Sequence, residues 1–188
     1  FDPKGLLNPG RIVDPPKMDD RSLFRYKPNY RANEITTALD WSDWTGLSGA
    51  VEMCNNNGAC RKVSAGVMCP SYRVTKDEKH VTRGRANTLR LALSGQLGPD
   101  AISSKEMSET MELCVSCKAC RRECPTGVDM AKMKIEHKSA YVQKNGLSIR
   151  DRLVGYLPKY AKIASKYHYL SNLRNKLPGL PWLTEQLS

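Results

Sequence analysis

Hydrophobic and polar residues follow no regular period in the opening part of the chain. Residues 1–30 are rich in Pro, Gly and Asp, and Pro15, Pro16 and Pro28 rule out a long helix there. Residues 31–48 mix β-branched and aromatic residues with turn formers, which fits either a strand or an irregular segment. We therefore expect an irregular N-terminal tail and linker before regular structure begins.

From residue 80 onward, apolar residues recur at helical spacing. The predicted helices cover residues 80–98, a segment beginning after Ser104, residues 128–144, and two segments separated by Pro158. The apolar face of the first consists of Ala86, Leu89, Leu93 and Leu97. The second has Met107 and Met111 on the same face as Cys114, so it leads directly to a group of cysteines. The pattern predicts a mainly α-helical fold.

The predicted helices after residue 146 are amphipathic and basic. Their apolar positions are Ile149, Leu153, Tyr156, Tyr160, Ile163, Tyr167 and Leu170, with Lys and Arg between them. Such a face packs either on the rest of the protein, including parts of a longer chain, or on an anionic membrane surface. Both interpretations stay open at this point.

Net charge and hydropathy limit which binding partners and which cellular location are expected. The formal net charge is +11, but the basic residues are spread along the chain without the signature of an RRM or a zinc finger, so nucleic-acid binding is not expected. An acidic partner surface fits better. No apolar run is long enough to cross a bilayer and no signal sequence opens the chain, which predicts a cytoplasmic protein, peripheral at the inner face of the membrane if the basic helices bind lipid.

The seven cysteines carry the strongest chemical signal. An odd number without an export signal argues against disulfides and for metal ligation. Cys114, Cys117, Cys120 and Cys124-Pro125 have the C-x2-C-x2-C-x3-C-P spacing of bacterial iron–sulfur sites, in which three thiolates hold one cluster and the fourth reaches the other. The spacing predicts two clusters.

An earlier group aligns with this motif but lacks one cysteine. Cys54 corresponds to Cys114, Cys60 to Cys120 and Cys69-Pro70 to Cys124-Pro125, whereas Asn57 stands where the second group has Cys117. The crossover then assigns a 4Fe-4S cluster to Cys69, Cys114, Cys117 and Cys120, and a 4Fe-4S or 3Fe-4S cluster to Cys54, Cys60 and Cys124. Asn57 is interpreted as a turn residue before Gly58 or, less naturally for iron, as a ligand.

Other residues leave alternatives open. Zinc also binds paired C-x2-C elements, so a zinc- or cluster-organised structural module without redox turnover is the rival hypothesis. His80 is the histidine closest to a cysteine motif and is a candidate ligand or hydrogen-bond donor to a cluster. Arg83 and Arg85 are candidates for balancing thiolate charge, with ordinary cations at a helix start as the other interpretation. Motifs for hydride, phosphoryl or acyl transfer are missing from the sequence, which favours electron transfer.

Two parts of the chain resemble known families. FDPKGLLNPGRIV, with Asn8, Pro9 and Gly10, resembles the closing segment of FAD-linked oxidases of the vanillyl-alcohol oxidase type. Residues 51–128 resemble the helical ferredoxin-like domain of succinate dehydrogenase, fumarate reductase and glycolate oxidase iron–sulfur subunits. In this order, and with GVMCPSYRVTKDE and TRGRANTLR, the chain looks like the large bacterial FAD/iron–sulfur oxidoreductases of the D-lactate and D-2-hydroxyglutarate dehydrogenase kind.

This resemblance implies a division of the chain and a role for each part. Residues 1–30 would be the tail of an upstream FAD domain plus a linker, residues 31–145 a helical two-cluster domain, and residues 146–188 basic helices leading to a downstream domain. It implies that FAD reduced by a D-2-hydroxy acid passes electrons through the clusters to an unidentified acceptor. Since only the last segment of the FAD domain is recognisable, with Asn8, Pro9 and Gly10 at the flavin side, we expect the chain to be part of a longer enzyme and not catalytic alone.

Overall fold

The computed structural model describes residues 2–24, 26–169, 172, 176–179 and 181–182. These residues contain no strand, and the α-helices with defined bounds are α1 Leu47–Glu52, α2 Pro70–Thr75, α3 Thr82–Leu93, α4 Lys105–Glu112, α5 Ala119–Glu123, α6 Met130–Asn145, α7 Ile149–Gly155 and α8 Leu157–Lys166. The predicted mainly helical fold is confirmed. The spacing analysis did not identify α1 or α2.

The chain divides into two compact units, Phe1–Ser139 and Ala140–Ser188. All seven cysteines belong to the first unit. The predicted domain boundaries after residues 30 and 145 stay predictions.

The strand considered for residues 31–48 is wrong, since this segment is irregular up to a 3₁₀ turn at Ser42–Trp44 and the start of α1. Its backbone is held by a buried carboxylate instead of a neighbouring strand. Glu136 of α6 accepts hydrogen bonds from the backbone N–H of Ala38 at 2.9 Å, that of Leu39 at 2.6 Å and the indole N–H of Trp41 at 2.8 Å. Three donors to one buried carboxylate take the place of a sheet ladder.

Helix α3 runs through the core of the first unit. It ends at Leu93, earlier than predicted, because the chain turns through left-handed glycines at Gly95 and Gly98, which leaves Leu97 half exposed outside the helix. Ala86, Leu89 and Leu93 are buried as expected. At Gly84 the helix passes so close to the backbone of residue 78 that a Cβ would lie 1.9 Å from that carbonyl oxygen, so only glycine fits.

Helices α4 and α6 follow the sequence pattern closely. The Ser104 hydroxyl caps α4 by accepting a hydrogen bond from the N–H of Met107 at 3.1 Å, and Met107 and Met111 are buried. Helix α6 begins two residues after the predicted start and ends as predicted before Gly146, which has φ of +79°. On α6, His137 is a satisfied core residue, with ring nitrogens 2.6 Å from the carbonyl of Ile102 and 3.1 Å from the Ser108 hydroxyl.

The second unit contains α7 and α8, with Pro158 in the first turn of α8. Its apolar side chains are exposed, among them Ile149, Leu153, Val154, Leu157 and Ile163. Leu170, which the pattern also placed on this face, lies outside the described residues. Across the part of the chain that the structure describes, no helix has the length and apolar character needed to span a membrane.

Candidate metal centre

The two cysteine loops have the same backbone conformation. In the second loop, the second and fourth residues after Cys114 are left-handed, with φ of 54° at Ser116 and 58° at Lys118. In the first loop the equivalent residues, Asn56 and Gly58, have φ of 64° and 77°. Alternating left-handed residues curl the chain and turn successive groups towards one centre. The alignment of the two groups by sequence is therefore matched in three dimensions.

The elements on either side of the loops also correspond. Helix α1 ends two residues before Cys54, and α4 ends two residues before Cys114. A 3₁₀ turn, Ala59–Arg61, contains Cys60, and the short helix α5 contains Cys120 at the same place. Each cysteine group is thus preceded by a helix, contains a curled segment and ends in a helical turn. The two cysteine groups therefore form an internal structural repeat.

Four cysteines meet around one cavity. Cys69, Cys114, Cys117 and Cys120 line it together with Thr82, Arg85, Met130 and their neighbours. Cys69 and Cys120 are buried, Cys114 is half-buried, and Cys117 is exposed. These are the four cysteines that the crossover rule assigns to the second cluster.

Cys69 reaches this cavity through an unusual backbone conformation. Its φ is 24°, a value that a residue with a Cβ adopts only under strain. The sulfur receives the backbone N–H of Thr82 at 3.1 Å and lies 2.9 Å from the Thr82 hydroxyl. The first turn of α3 therefore provides two groups that interact with a sulfur at this position, as donors to thiolates commonly do in iron–sulfur sites.

The cysteine sulfurs of the first site lie beside the same turn. Cys54 and Cys60 are buried, and Cys60 accepts a hydrogen bond from the backbone N–H of Arg83, the residue after Thr82. Burial raises the pKa of Cys60 to about 11, in spite of that N–H, and the neighbouring Cys69 and Cys54 add to the rise. A thiol in this position needs a metal charge to become a good ligand.

Cys124 follows α5, which packs against the 3₁₀ turn that carries Cys60. Burial raises the pKa of Cys124, but hydrogen bonds from the Thr126 hydroxyl and from the backbone of Val128, Thr126 and Gly127 outweigh it and leave the pKa below its ordinary value. Such a thiolate is prepared for metal binding.

A carboxylate ties the two crossover segments together. Glu123, directly before Cys124, accepts hydrogen bonds from the N–H groups of Val67 at 2.9 Å and Met68 at 3.0 Å, directly before Cys69. The hydrogen bond from Val67 is the largest cause of a lowered pKa at Glu123. The segments that precede Cys69 and Cys124, the two cysteines that the crossover rule exchanges between the loops, are thus joined by this carboxylate.

The side chain of Asn57 is engaged in its own turn. Its amide nitrogen donates to the side-chain oxygen of Asn55 at 2.6 Å, and its amide oxygen accepts from the N–H of Ala59 at 2.8 Å. This geometry favours the turn interpretation over the ligand interpretation. His80 is also engaged elsewhere, since its Nδ1 lies 3.0 Å from the Thr75 hydroxyl.

The two arginines of α3 have different surroundings. Arg83 forms an ion pair with Glu78, with Nε and Oε1 2.6 Å apart, and this hydrogen bond raises the pKa of Arg83. Arg85 is buried and lies on the wall of the four-cysteine cavity. Burial lowers the pKa of Arg85, while Cys114, Cys69 and Cys120, as thiolates, oppose that effect.

The donor set fits iron–sulfur clusters. The four cysteines of the cavity offer thiolate sulfur, which suits iron–sulfur clusters as well as zinc. Among the described residues, no three His, Cys, Asp or Glu side chains are gathered as a single metal ion requires. A cluster holds each thiolate on a separate iron and so spaces them more widely than one zinc ion with bonds of about 2.3 Å. A buried cation on the cavity wall is also expected beside an anionic group.

The comparison with protein families agrees with this chemistry. Residues 50–128 match the family model described as a 4Fe-4S dicluster domain. That stretch of the chain is therefore similar to a 4Fe-4S dicluster domain. Within it lie all seven cysteines, both curled loops and the first turn of α3.

Curated relatives place this domain in a larger context. The chain is 25% identical to a D-2-hydroxyglutarate dehydrogenase of Pseudomonas putida over 100% of the chain and 21% of that protein. It is 28% identical to one of Escherichia coli over 88% of the chain and 19% of that protein. A probable glycolate oxidase iron–sulfur subunit of Bacillus subtilis is 28% identical over 46% of the chain and 19% of its own length. The chain thus spans about a fifth of these relatives. No solved structure matches it.

The structure also shows where the remaining predicted residues lie. Asn8, Pro9 and Gly10 form a local turn in which Asn8 and Gly10 are left-handed, and the Asp2 carboxylate accepts the N–H groups of Leu6 and Leu7. This segment does not contribute to the four-cysteine cavity. The assignment of Asn8, Pro9 and Gly10 to a flavin site stays a prediction.

Sequence reasoning missed Thr82, Glu123 and Glu136. Thr82 contacts the sulfur of Cys69, 13 residues earlier in the chain. Glu123 binds the backbone of Met68, the residue before Cys69, across 55 residues of sequence. Their only sequence signal is position, Glu123 before Cys124 and Thr82 at the start of an apolar helix. Neither signal distinguishes them from ordinary polar residues.

Proposed function

We propose that the dicluster domain is a one-electron relay with clusters at two sites. The second site consists of Cys69, Cys114, Cys117 and Cys120, and the first of Cys54, Cys60 and Cys124. The observation that carries the proposal is the single cavity lined by the four cysteines of the second site. The clusters, when bound, supply reversible one-electron chemistry.

The protein's contribution is to hold the thiolates and control their environment. The curled loops set the direction of the sulfurs, and the packed helices hold the two sites at a fixed separation. Backbone N–H groups stabilise negative charge on the sulfurs. Thr82 donates to Cys69 and Arg83 to Cys60, and the backbone nitrogen of Met130 lies 3.4 Å from the sulfur of Cys120. Burial of Cys54, Cys60, Cys69 and Cys120 keeps water away from most of both sites.

We propose further that the electrons come from FAD reduced by a D-2-hydroxy acid in another part of the enzyme. The support is the similarity to D-2-hydroxyglutarate dehydrogenases along the whole chain and the FDPKGLLNPGRIV segment at its start. Asn8, Pro9 and Gly10 would then lie on the flavin side. The dicluster domain itself would have no part in substrate chemistry, and its immediate partners would be the FAD domain and a downstream domain.

The electron acceptor would approach the exposed edge of the second site. Cys117 is exposed, and Lys118, Arg121 and Arg122 surround it with basic groups beside exposed Val67. Asp129 offsets part of this charge through ion pairs with Lys118 and Arg121 at 3.8 and 3.5 Å. An acceptor with an acidic contact face fits this edge.

The deciding experiment is metal analysis of anaerobically purified protein with electron paramagnetic resonance before and after dithionite reduction. We expect about seven or eight irons per chain and cluster signals that change on reduction. Zinc without iron, in a colourless protein, would replace the relay with a structural or interaction module. A three-iron signal in the oxidised protein would fix the nuclearity of the first site.

The exposed face of α7 and α8 supports a second, separate role as a membrane-surface contact on the cytoplasmic side. Its apolar side chains have Lys and Arg between them, a pattern that binds anionic lipid. Flotation with anionic and with neutral vesicles at low salt tests this role. Recovery with anionic vesicles alone is the expected result, and no recovery with either would end the proposal.

A further inference from the structure

We propose that Arg85 is the counter-charge of the second cluster site and sets the reduction potential of the cluster bound there. This inference rests on the proposed relay, and deepens it by assigning a potential-determining residue to one site only. Arg85 acts as a positioning and charge-balancing residue, since its contacts are with the protein around the cysteines.

The burial of Arg85 is the first observation. Only 1% of its surface is exposed, which makes it the largest of the fully buried side chains among the described residues. Arginine stays protonated at any pH at which proteins are folded, so its charge is buried with it. Burying a charge without a counter-ion is strongly unfavourable, and proteins avoid it unless something compensates.

The contacts of Arg85 do not include a carboxylate. Its Nε donates to the carbonyl of Thr110 at 3.0 Å and its Nη2 to the hydroxyl of Ser71 at 3.2 Å. None of the ion pairs formed by the described residues involves it. Both contacts are neutral acceptors, so they satisfy hydrogen bonds but leave the charge uncompensated.

The cysteines of the second site are what remains to balance this charge. Arg85 lines the cavity with all four of them, and the groups that act on it electrostatically are Cys114, Cys69 and Cys120. Four thiolates on an iron–sulfur core carry net negative charge. A buried cation at this wall therefore stabilises the cluster, and stabilises its reduced state most because that state is one electron more negative.

Arg83 provides a natural comparison on the same helix turn. It lies near the first site, where Cys60 and Cys54 act on it, but its charge is already neutralised by Glu78 at 2.6 Å and it is partly exposed. The first site thus has an arginine with its own carboxylate, and the second has an arginine without one. We expect the charge of Arg85 to set the potential of the second site, whereas a change at Arg83 acts at the first site and should not move the potential of the second.

The test is a potentiometric titration of both clusters by electron paramagnetic resonance in wild-type protein and in Arg85→Gln, Arg85→Lys and Arg83→Gln. The signal of the second cluster is identified by its loss in Cys117→Ala. In Arg85→Gln we expect the reduced-to-oxidised ratio of this cluster at a fixed potential to fall about tenfold, a downward shift of about 59 mV for one electron. Arg85→Lys should restore most of the shift, and Arg83→Gln, which changes charge at the first site, should leave the potential of the second cluster near wild type.

Iron content decides the case in which a variant loses the second cluster. Loss in Arg85→Gln with retention in Arg85→Lys supports the charge role. Loss in both, or an unchanged potential in Arg85→Gln, overturns it, because the side chain would then serve packing or hydrogen bonding only. Wild-type protein without iron would instead refute the relay itself, so the two failures are distinguishable.

Discussion

The two cysteine loops have the same backbone but different side chains at one corner. Both place left-handed residues two and four positions after the first cysteine, yet the residue between these is Cys117 in the second loop and Asn57 in the first. The shape of the loop therefore does not depend on a thiolate at that corner. In the first loop an amide hydrogen-bonded within the turn holds the same curve.

The largest expected effect comes from removing either of the two crossover cysteines, Cys69 and Cys124. Cys69→Ala should remove the cluster of the loop that follows it, since Cys69 lines the cavity of Cys114, Cys117 and Cys120. Cys124→Ala should remove the other cluster. Iron analysis with electron paramagnetic resonance should show about four irons lost in Cys69→Ala. Loss of the signal that survives in Cys117→Ala would contradict the crossover.

The corner residues give the next largest effect. Cys117→Ala should abolish the second cluster, whereas Asn57→Ala should keep the first and cost about 1 kcal/mol of stability through the lost turn hydrogen bonds. Asn57→Cys should complete a fourth thiolate and convert a three-iron signal, if present, into a four-iron one. Denaturant unfolding and iron content check both changes. An Asn57→Ala protein that lacks the first cluster would establish Asn57 as a ligand.

Weakening the hydrogen bonds of Glu123, which join the segments before Cys69 and Cys124, should destabilise both clusters equally. Glu123→Gln weakens the hydrogen bonds to Val67 and Met68, so we expect faster loss of both clusters to a chelator at pH 7. Because the pKa of Glu123 is lowered in the folded protein, its contribution is present above the ordinary pKa of a glutamate, about 4.3, and is lost as the pH falls through the folded value. Below that pH range, wild type and Glu123→Gln should therefore lose their clusters to the chelator at the same rate. Loss of one cluster only would show that the two segments are not coupled.

The smallest expected effect concerns two basic residues at equivalent places, Arg122 and Lys62. Arg122 lies two residues after Cys120, and Lys62 lies two residues after Cys60. Arg122→Glu should slow oxidation of the reduced protein by ferricyanide a few-fold at low salt, because it removes positive charge beside the exposed Cys117. Lys62→Glu should change the rate less, since Cys54 and Cys60 are buried. Stopped-flow measurements at low and high salt check this, and equal slowing by both variants would remove the preference for the second site's edge.

Local patterns in the sequence were sufficient for part of this picture. The helical face of Met107 and Met111, the start of a helix after Ser104 and the stop before Gly146 depend on neighbours within a few residues, and the structure has all three. The alignment of Cys54 with Cys114 could be read for the same reason, because it is a matter of spacing.

What could not be predicted depends on contacts between distant segments. Residues 31–48 have the composition of a strand, but no partner strand exists in the described chain, and Glu136 satisfies their backbone instead. Helix α3 stops at Leu93 because of glycines that also occur within longer helical patterns. The charge environment of Arg85 depends on burial and on the absence of an acid among its neighbours, and neither is visible in a single sequence.

The first turn of α3 gives the two sites a common supporting element. The N–H of Thr82 is directed at Cys69 and the next N–H along the chain at Cys60, so one peptide unit separates a donor to each site. A cluster bound at either site would fix this turn and would thereby place the donor for the other. The domain should therefore be filled cooperatively during assembly, with half-loaded molecules scarce when iron and sulfide are limiting.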